Sequence, residues 1–284
     1  MTDRIDKTRL RGHFDHAAAR YDEAAVLQHE VGRRLRERLE LCRIEPTLVL
    51  DVGAGTGKGT AALLKAYRKA RVIALDLSLA MLRHTRAQGG WLRKPGLVCA
   101  DAERLPVADA RIDLIHSNLT LQWCNDLDRV FGEFRRVMRG GGLLMFTTFG
   151  PDTLKELRDC WERVDGRAHV NTFVDMHDVG DALVRAGFAD PVMDMEVLTL
   201  TYRTPLDLMR DLKQIGATNA LYAAPRGLTG PARLRAVERA YEVFRRSDGS
   251  FPATYEVVYG HAWVPSAPPP SRLDSAKTIP ILSR

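Results

Sequence analysis

Two hydrophobic periods alternate along the chain. Short apolar runs rich in β-branched residues predict strands near 48–52, 71–76, 97–100, 111–117, 141–148, 192–202 and 253–263. Between them, helical spacing predicts helices near 58–69, 79–88, 126–138, 153–163, 175–186, 205–217 and 231–246. Ahead of the first strand, residues 14–22 have helical composition, and Leu27, Val31, Leu35 and Leu39 make residues 24–42 an amphipathic helix. Strand–helix alternation over 47–149 implies parallel strands, right-handed crossovers and helices on both faces. In such sheets a ligand binds beyond the carboxyl ends of the strands, where strand order reverses. Residues 53–57, Asp76, Asp101 and Ser117 all fall at carboxyl ends, so they are predicted to converge on one crevice.

The first of these ends reads D-V-G-A-G-T-G at 51–57. Its glycines let the backbone turn sharply and approach a ligand, and the helix behind offers free N–H groups to an anion. The dinucleotide fingerprint G-x-G-x-x-G fails, because Lys58 stands where its last glycine should be. The phosphate loop G-x-x-x-x-G-K-[ST] fails as well, since only three residues separate Gly53 from Gly57. What remains, D-x-G-x-G-x-G, resembles the first motif of class I S-adenosylmethionine (AdoMet) methyltransferases. Asp76 ends the second strand about 20 residues later, where an acid accepts hydrogen bonds from both ribose hydroxyls in nucleotide-binding α/β folds. In the enzymes the chain resembles, the acid of D-A-E-x-L-P, here at 101–106, receives the adenine amino group.

The resemblance implies a Rossmann-like class I methyltransferase: α/β, a seven-stranded mostly parallel sheet with helices on both faces and a helical insertion before the last strand. The expected division is an N-terminal helical cap at 1–45, a core at 46–204, a lid over the acceptor at 205–250, the last core strand at 251–264 and a disordered tail at 265–284. The cofactor residues it implies are Tyr21, Asp51, Gly53, Ala54, Gly55, Gly57, Asp76, Leu77, Asp101, Ala102 and Ser117. Tyr21 closes an F-x-x-x-A-x-x-Y-D segment and would cap the methionine end of AdoMet; the alternative is a tyrosine that only packs.

Composition narrows the partners. Hydrophobic residues make up 45% of the 284 and charged residues 27%, ordinary for a globular protein. Residues 1–11 are polar and charged, unlike a signal peptide, and no apolar run approaches the roughly 18 residues of a membrane span. Cys42, Cys99, Cys124 and Cys160 are scattered, without a C-x-x-C pair, which fits a reducing cytoplasm. His13 and His16 lack companion ligands, so no metal is expected. The net charge of +6 suits an acidic partner or, equally, arginine-rich helices that are simply solvated.

Longer stretches narrow the family. S-N-L-T-L-Q-W-C at 117–124, T-F-G-P-D-T-L-K-E-L at 148–157, V-N-x-F at 170–173, D-L-K-Q-I-G-A-T-N at 211–219 and P-A-T-Y-E-V-V-Y at 252–259 resemble the malonyl-acyl carrier protein O-methyltransferases of biotin synthesis. That likeness implies methyl transfer from AdoMet to the free carboxylate of a malonyl thioester on an acidic acyl carrier protein. A carboxylate is ionised at pH 7, so no general base is required; no Ser-His-Asp or Cys-His set is present, and His116 reads as structural. Asn118, Gln122 and Trp123 would line the acceptor pocket, with Arg203, Arg210 or Lys213 holding the anion. Arg226, Arg233, Arg235, Arg239, Arg245 and Arg246 are candidates for carrier docking; neither nucleic acid nor membrane is expected as a partner. Two rivals share the motifs: a methyltransferase of another small acceptor, such as a quinone precursor or small acid, and a protein-modifying assembly factor of mitochondrial complex I.

Overall fold

The period-two runs form one seven-stranded sheet. The computed structural model describes residues 4–90, 93–222 and 230–266. Helices α1 (Lys7–Ala17), α2 (Tyr21–Ala24) and α3 (Val26–Glu40) precede β1 (Leu48–Val52). There follow α4 (Lys58–Ala66), β2 (Arg71–Asp76), α5 (Leu79–Gln88), β3 (Gly96–Cys99), β4 (Ile112–Ser117), α6 (Leu127–Val137) and β5 (Met138–Phe149). The rest is α7 (Lys155–Asp165), α8 (Met176–Arg185), β6 (Ala189–Tyr202), α9 (Pro205–Gln214), α10 (Pro231–Tyr241) and β7 (Phe251–Trp263). Strand order is β3-β2-β1-β4-β5-β7-β6. The first five strands are mutually parallel, and β7 runs antiparallel between β5 and β6. Strand order reverses between β1 and β4, which fixes where a crevice opens.

Alternate side chains of the central strands serve two cores, as strands buried on both faces require. Val49, Leu114, Leu143 and Met145 join the α3 stripe of Leu27, Val31, Leu35 and Leu39. Leu50, Ile115, Leu144 and Phe146 join Phe131 and Phe134 of α6 and Val179 and Leu183 of α8 on the other face. The boundaries moved at irregularities. β5 begins at Met138 rather than 141 because Met138 pairs with Ile112 before a register shift. β6 begins at Ala189 rather than 192, across a second irregularity. The helix expected to reach residue 217 stops at Gln214; Gly216, at φ +73°, turns the chain against Phe14 and Ala17. The helix expected to reach 246 ends at Tyr241 and continues as a 3-10 turn over Glu242–Phe244. Residues 267–284 of the expected tail and the link 223–229 lie outside the described residues.

The arginines of α3 are committed within the protein. Arg33 pairs with Glu30 at 2.7 Å and with Glu37. Arg34 pairs with Glu30 at 2.8 Å and with Glu196 of β6. Arg38 reaches Asp194 at 2.6 Å and lies 3.8 Å over the Tyr259 ring. This face therefore clamps α3 onto β6 and β7.

Asp113 secures the entry to β1. It accepts from the Thr47 amide and hydroxyl, each at 2.7 Å, and from the Leu48 amide at 2.9 Å, and pairs with Arg139. Burial alone would raise this carboxyl, but the donors and the guanidinium hold it below the usual range. A depressed carboxyl adds stability above its unfolded value near 4, and that stability is lost as pH falls through the lower folded value. Asp113→Ala is expected to lower unfolding free energy at neutral pH by about 2–3 kcal/mol in urea titrations, with the gap to wild type closing in acid.

Candidate active site

The glycine turn after β1 is held from β2. The amides of Gly53 and Ala54 donate to Leu75 O at 2.8 and 3.0 Å. The Gly55 amide donates to Asp76 Oδ2 at 2.8 Å, and the Thr85 hydroxyl to Gly55 O at 2.7 Å. Asp76 Oδ1 accepts from the Ser78 amide at 2.8 Å. Burial pushes the Asp76 carboxyl up to about 6, against the pull of these two amides, with the negative charges of Asp51 and Asp15 adding to the rise.

A cavity of about 1300 Å³, its open mouth included, lies above this turn. Tyr21, Gly53, Gly55, Asp76, Leu77, Asp101 and Ala102 line it, and so do Asn118, Gln122 and Trp123. The crevice thus brings together residues from five separate stretches. Burial raises the Tyr21 phenol, with the Asp76 and Asp22 charges acting in the same direction. Asn118 is braced on both sides: its Nδ2 donates to Gln28 O at 3.0 Å, and its Oδ1 accepts from Thr147 Oγ1 at 2.9 Å. Gln122 Nε2 donates to Leu119 O at 2.8 Å. Leu119 and Leu154, both on the lining, adopt left-handed φ of +50° and +56°. Such conformations in branched residues cost free energy and concentrate where a site dictates the backbone.

Seven expected residues stand outside that lining. Asp51 is buried in the sheet, where Oδ1 meets His116 Nδ1 at 2.8 Å and Oδ2 accepts from Thr60 Oγ1 at 2.6 Å. It binds β1, β4 and α4 together and shapes the turn without facing the cavity. Ser117 is likewise turned inward, donating to Val52 O at 3.1 Å. Ala54 and Gly57 belong to the turn's frame, Gly57 as the N-cap of α4. The three basic candidates also lie off the lining: Arg203, Arg210 and Lys213 are solvent-exposed, and Arg210 pairs with Asp207 at 2.7 Å.

Several lining residues carried no recognised role in the sequence. Lys7 Nζ lies 3.0 Å from Asp101 and 2.9 Å from Glu103, although 94 residues separate it from the former. Leu10 and Phe14 of α1 cover the cavity, Phe14 meeting Trp123 edge to face at 5.6 Å. Trp123 and Leu77 both pack against the cluster of Ile5, Leu10, Ala220 and Leu221. Gln28 Oε1 and Asn171 Oδ1 are buried without a hydrogen-bond partner among the described residues, and both residues line the cavity. The loop after α7 supplies His169, Val170, Asn171 and Phe173, and the end of α9 and the turn beyond it supply Leu212, Ile215, Ala217, Thr218 and Asn219. The V-N-x-F stretch was the available signal for the first group, though without a function attached. Among the described residues, no group of three or more His, Cys, Asp or Glu side chains could hold a metal ion.

Five parallel strands, an antiparallel β7 between β5 and β6, and a glycine turn gripped by the acid of β2 define a Rossmann-like class I methyltransferase. Comparison with known proteins agrees. Residues 50–146 match the family model described as a methyltransferase domain. Among solved structures, the YcgJ protein of Bacillus subtilis superposes with TM-score 0.59 at 16% identity, over 84% of this chain and 99% of its own. A phosphoethanolamine N-methyltransferase of Haemonchus contortus bound to S-adenosylhomocysteine gives TM-score 0.51 at 18% identity, over 82% of this chain and 52% of that one. At such identities these structures speak to fold alone. The nearer likenesses are malonyl-acyl carrier protein O-methyltransferases. That of Methylovorus sp. is 53% identical over 93% of this chain and 90% of its own, and that of Laribacter hongkongensis 54% over 96% and 95%. That of Xylella fastidiosa is 46% identical over 100% and 97%. The chain belongs to the malonyl-acyl carrier protein O-methyltransferase family.

The glycines of the turn serve different needs. A Cβ on Gly53 would fall 1.9 Å from Thr120 Oγ1, whereas one on Gly55 would meet nothing within 4 Å. Both have positive φ, +72° and +55°. Gly55→Ala is expected to cost only the left-handed strain, about 1–2 kcal/mol. Gly53→Ala adds a clash with a braced threonine and is expected to cost about 3 kcal/mol or more. Chemical denaturation of the two variants checks the order.

Proposed function

We propose that this protein moves the methyl group of AdoMet to the free carboxylate of a malonyl thioester on acyl carrier protein, giving a methyl ester that opens pimeloyl formation in biotin synthesis. The observation that carries the reading is near full-length likeness, 44 to 54% identity, to relatives of that name. Three features support AdoMet as the donor held in the cavity. The Gly55 side of the turn is open where a side chain would stand, leaving room for close backbone approach. Asp76 keeps lone pairs free beyond the two amides it accepts from, as ribose recognition needs. Gln28 Oε1 is an unpaired acceptor on the same lining, suited to the methionine ammonium group. Asp101 and Ala102 would receive adenine, Leu77 would pack on it, and Tyr21 would close over the methionine end. Bound there, AdoMet supplies a methyl group made electrophilic by its sulfonium.

The chain's own residues have only to position and exclude. The acceptor oxygen is already an anion at neutral pH, so no side chain removes a proton. Phe149, Leu154, Leu157, Phe173 and Tyr255 line the cavity and keep water from the reacting atoms. With this reading go the division into cap 1–45, core 46–204, lid 205–250 and last strand 251–264, and docking of the carrier on the lid's outer surface. Arg233, Arg235, Arg239, Arg245 and Arg246 are exposed on and just after α10, with Asp165 3.9 Å from Arg233 and Glu242 3.6 Å from Arg245; Arg226 lies outside the described residues. A cytoplasmic setting belongs to the same proposal, supported by free thiols at Cys42, Cys99, Cys124 and Cys160. No described helix is long and apolar enough to cross a membrane.

Incubation with methyl-labelled AdoMet and malonyl-acyl carrier protein is expected to place label in a base-labile ester on the carrier. Absence of ester from protein that still binds S-adenosylhomocysteine would overturn the reading. Added salt is expected to raise KM for the carrier substrate while leaving S-adenosylhomocysteine affinity nearly constant.

Asp76 gives the pH test. Ligand-free protein holds its proton up to about pH 6, and a carboxylate accepting ribose hydroxyls must release it. Calorimetry is therefore expected to show S-adenosylhomocysteine affinity falling as pH drops below about 6, by up to tenfold per unit. Asp76→Asn should flatten that slope, and Asp76→Ala should weaken binding at pH 7.5 by roughly ten- to a hundredfold.

A further inference from the structure

An acceptor carboxylate inside an apolar-walled cavity needs a partner, because an unpaired buried anion is costly. The basic side chains on α9 and before it face solvent, so the partner must come from the lining itself. By type, the lining holds two cationic candidates among the described residues, Lys7 and His169. Lys7 is already engaged by Asp101 and Glu103, at the nucleoside side of the cavity.

His169 is mounted differently. Its Nε2 stands 3.1 Å from each Asp165 oxygen, and its ring stacks on Trp161 with centroids 3.7 Å apart and planes 14° from parallel. Asp165 therefore accepts a hydrogen bond from Nε2, and the indole holds the ring flat against it, in the geometry of a cation over an aromatic face. The carboxylate and the indole together fix the ring's orientation, and Nδ1 has no hydrogen-bond partner among the described residues. Two positions on, Asn171 is 7% exposed, with Oδ1 buried and unpaired. A half-turn of its amide exchanges that acceptor for a donor. The loop is itself pinned, since Asn219 Nδ2 donates to Ala168 O. The charged groups at this corner are Asp165 and Arg233 of α10, whose Nη1 lies 3.9 Å from Asp165 Oδ2.

We infer that His169, as an imidazolium oriented by Asp165 and Trp161, holds one oxygen of the acceptor carboxylate together with the Asn171 amide. The inference rests on the methyl-transfer reading above and names the residues that recognise the acceptor. The second oxygen remains free to attack. Its lone pair forms the C–O bond as the C–S bond breaks, the bonding pair stays on sulfur to give the neutral thioether, and the imidazolium keeps its proton. The product ester has lost the negative charge that His169 grips, so the same contact favours substrate over product. It also separates malonyl from acetyl carriers, which are alike everywhere except at this group.

The test uses His169→Phe, which keeps an aromatic ring on Trp161 while removing charge and donors, alongside His169→Gln and Asn171→Ala. Steady-state kinetics with malonyl-acyl carrier protein are expected to show KM raised tenfold or more in His169→Phe, with S-adenosylhomocysteine affinity within about twofold of wild type. In competition assays, wild type should prefer malonyl- over acetyl-acyl carrier protein, and His169→Phe should lose most of that preference. Unchanged KM and preference in His169→Phe, with cofactor affinity intact, would overturn the inference. So would a loss of cofactor affinity in all three variants, which would make the loop merely structural. A wild-type protein that forms no ester condemns the functional reading itself, a result distinct from a wild type that turns over and a variant that matches it.

Discussion

The amide of Gly55 donates to Asp76 across 2.8 Å, and with the two amides on Leu75 O this ties the turn after β1 to the end of β2. Without that tie, three consecutive residues at the switch point would have unpaired N–H groups, and Gly53 and Gly55 no reason to hold left-handed conformations. With it, one side of the turn is pressed onto Thr120 and the other is left bare. The cavity is a consequence of this asymmetry. Asp76 is drawn into the interior to make the contact, and burial lifts its carboxyl to about 6. The carboxyl is thus held in surroundings that resist its charge, eased by the two amides, and the proposed ribose role asks it to be an anion. Two donated ligand hydroxyls would complete what the amides begin.

The rest of the chain closes this cavity by reciprocal contacts between segments remote in sequence. The stretch T-F-G-P-D-T-L-K-E-L and the stretch P-A-T-Y-E-V-V-Y bind one another. Thr254 pairs with Glu156, the Asp152 amide donates to Glu256 Oε2 at 2.8 Å, and the Thr153 hydroxyl to Glu256 O at 3.1 Å. A Cβ on Gly150 would fall 2.5 Å from the Glu256 side chain, so the turn tolerates nothing larger there. These contacts carry Thr153, Leu154 and Leu157 to the cavity wall. On the opposite side the N-terminal segment is stitched to the turn beyond α9. The Asp6 amide donates to Ala220 O at 2.8 Å, that of Tyr222 to Arg4 O at 2.9 Å, and Ile5 exchanges two bonds with Asn125. The N-terminal segment and the turn beyond α9 therefore meet each other as well as the core. Any opening wide enough to admit a carrier-borne thioester must part this seam or pass beside it.

The framework was legible because each central strand carries its own address. Val49 and Leu50 point to opposite cores, and a period of two says so without knowledge of any partner. Boundaries were less legible where register shifts intervene, since the pairing of Met138 with Ile112 depends on a strand 26 residues away. The lining residues at strand ends could be read because topology alone brings strand ends together. Lys7 and Gln28 could not, because nothing in a helix's own pattern tells which acid or ligand its polar positions will meet. The ion pairs of α3 were equally out of reach: its arginines read as a solvated face, whereas Glu30, Glu37, Asp194 and Glu196 satisfy several of them.

The anion site shows where side-chain type stops helping. Arg203, Arg210 and Lys213 were chosen by side-chain type, on the ground that a guanidinium or ammonium suits a carboxylate. Type is a poor guide when the ligand must sit deep. Long, strongly hydrated cations on an amphipathic helix turn to solvent, as Arg210 does with Asp207 on α9, because burying them costs more than the anion would return. An imidazole is shorter and can be fixed by one carboxylate and one aromatic face, as Asp165 and Trp161 fix His169. A site that must release a neutral ester after each turnover is better served by a cation held on such a mount than by a free arginine, whose charge would need a counter-ion whenever the acceptor was absent. Here Asp165 is that counter-ion, and it stays with His169 through the cycle.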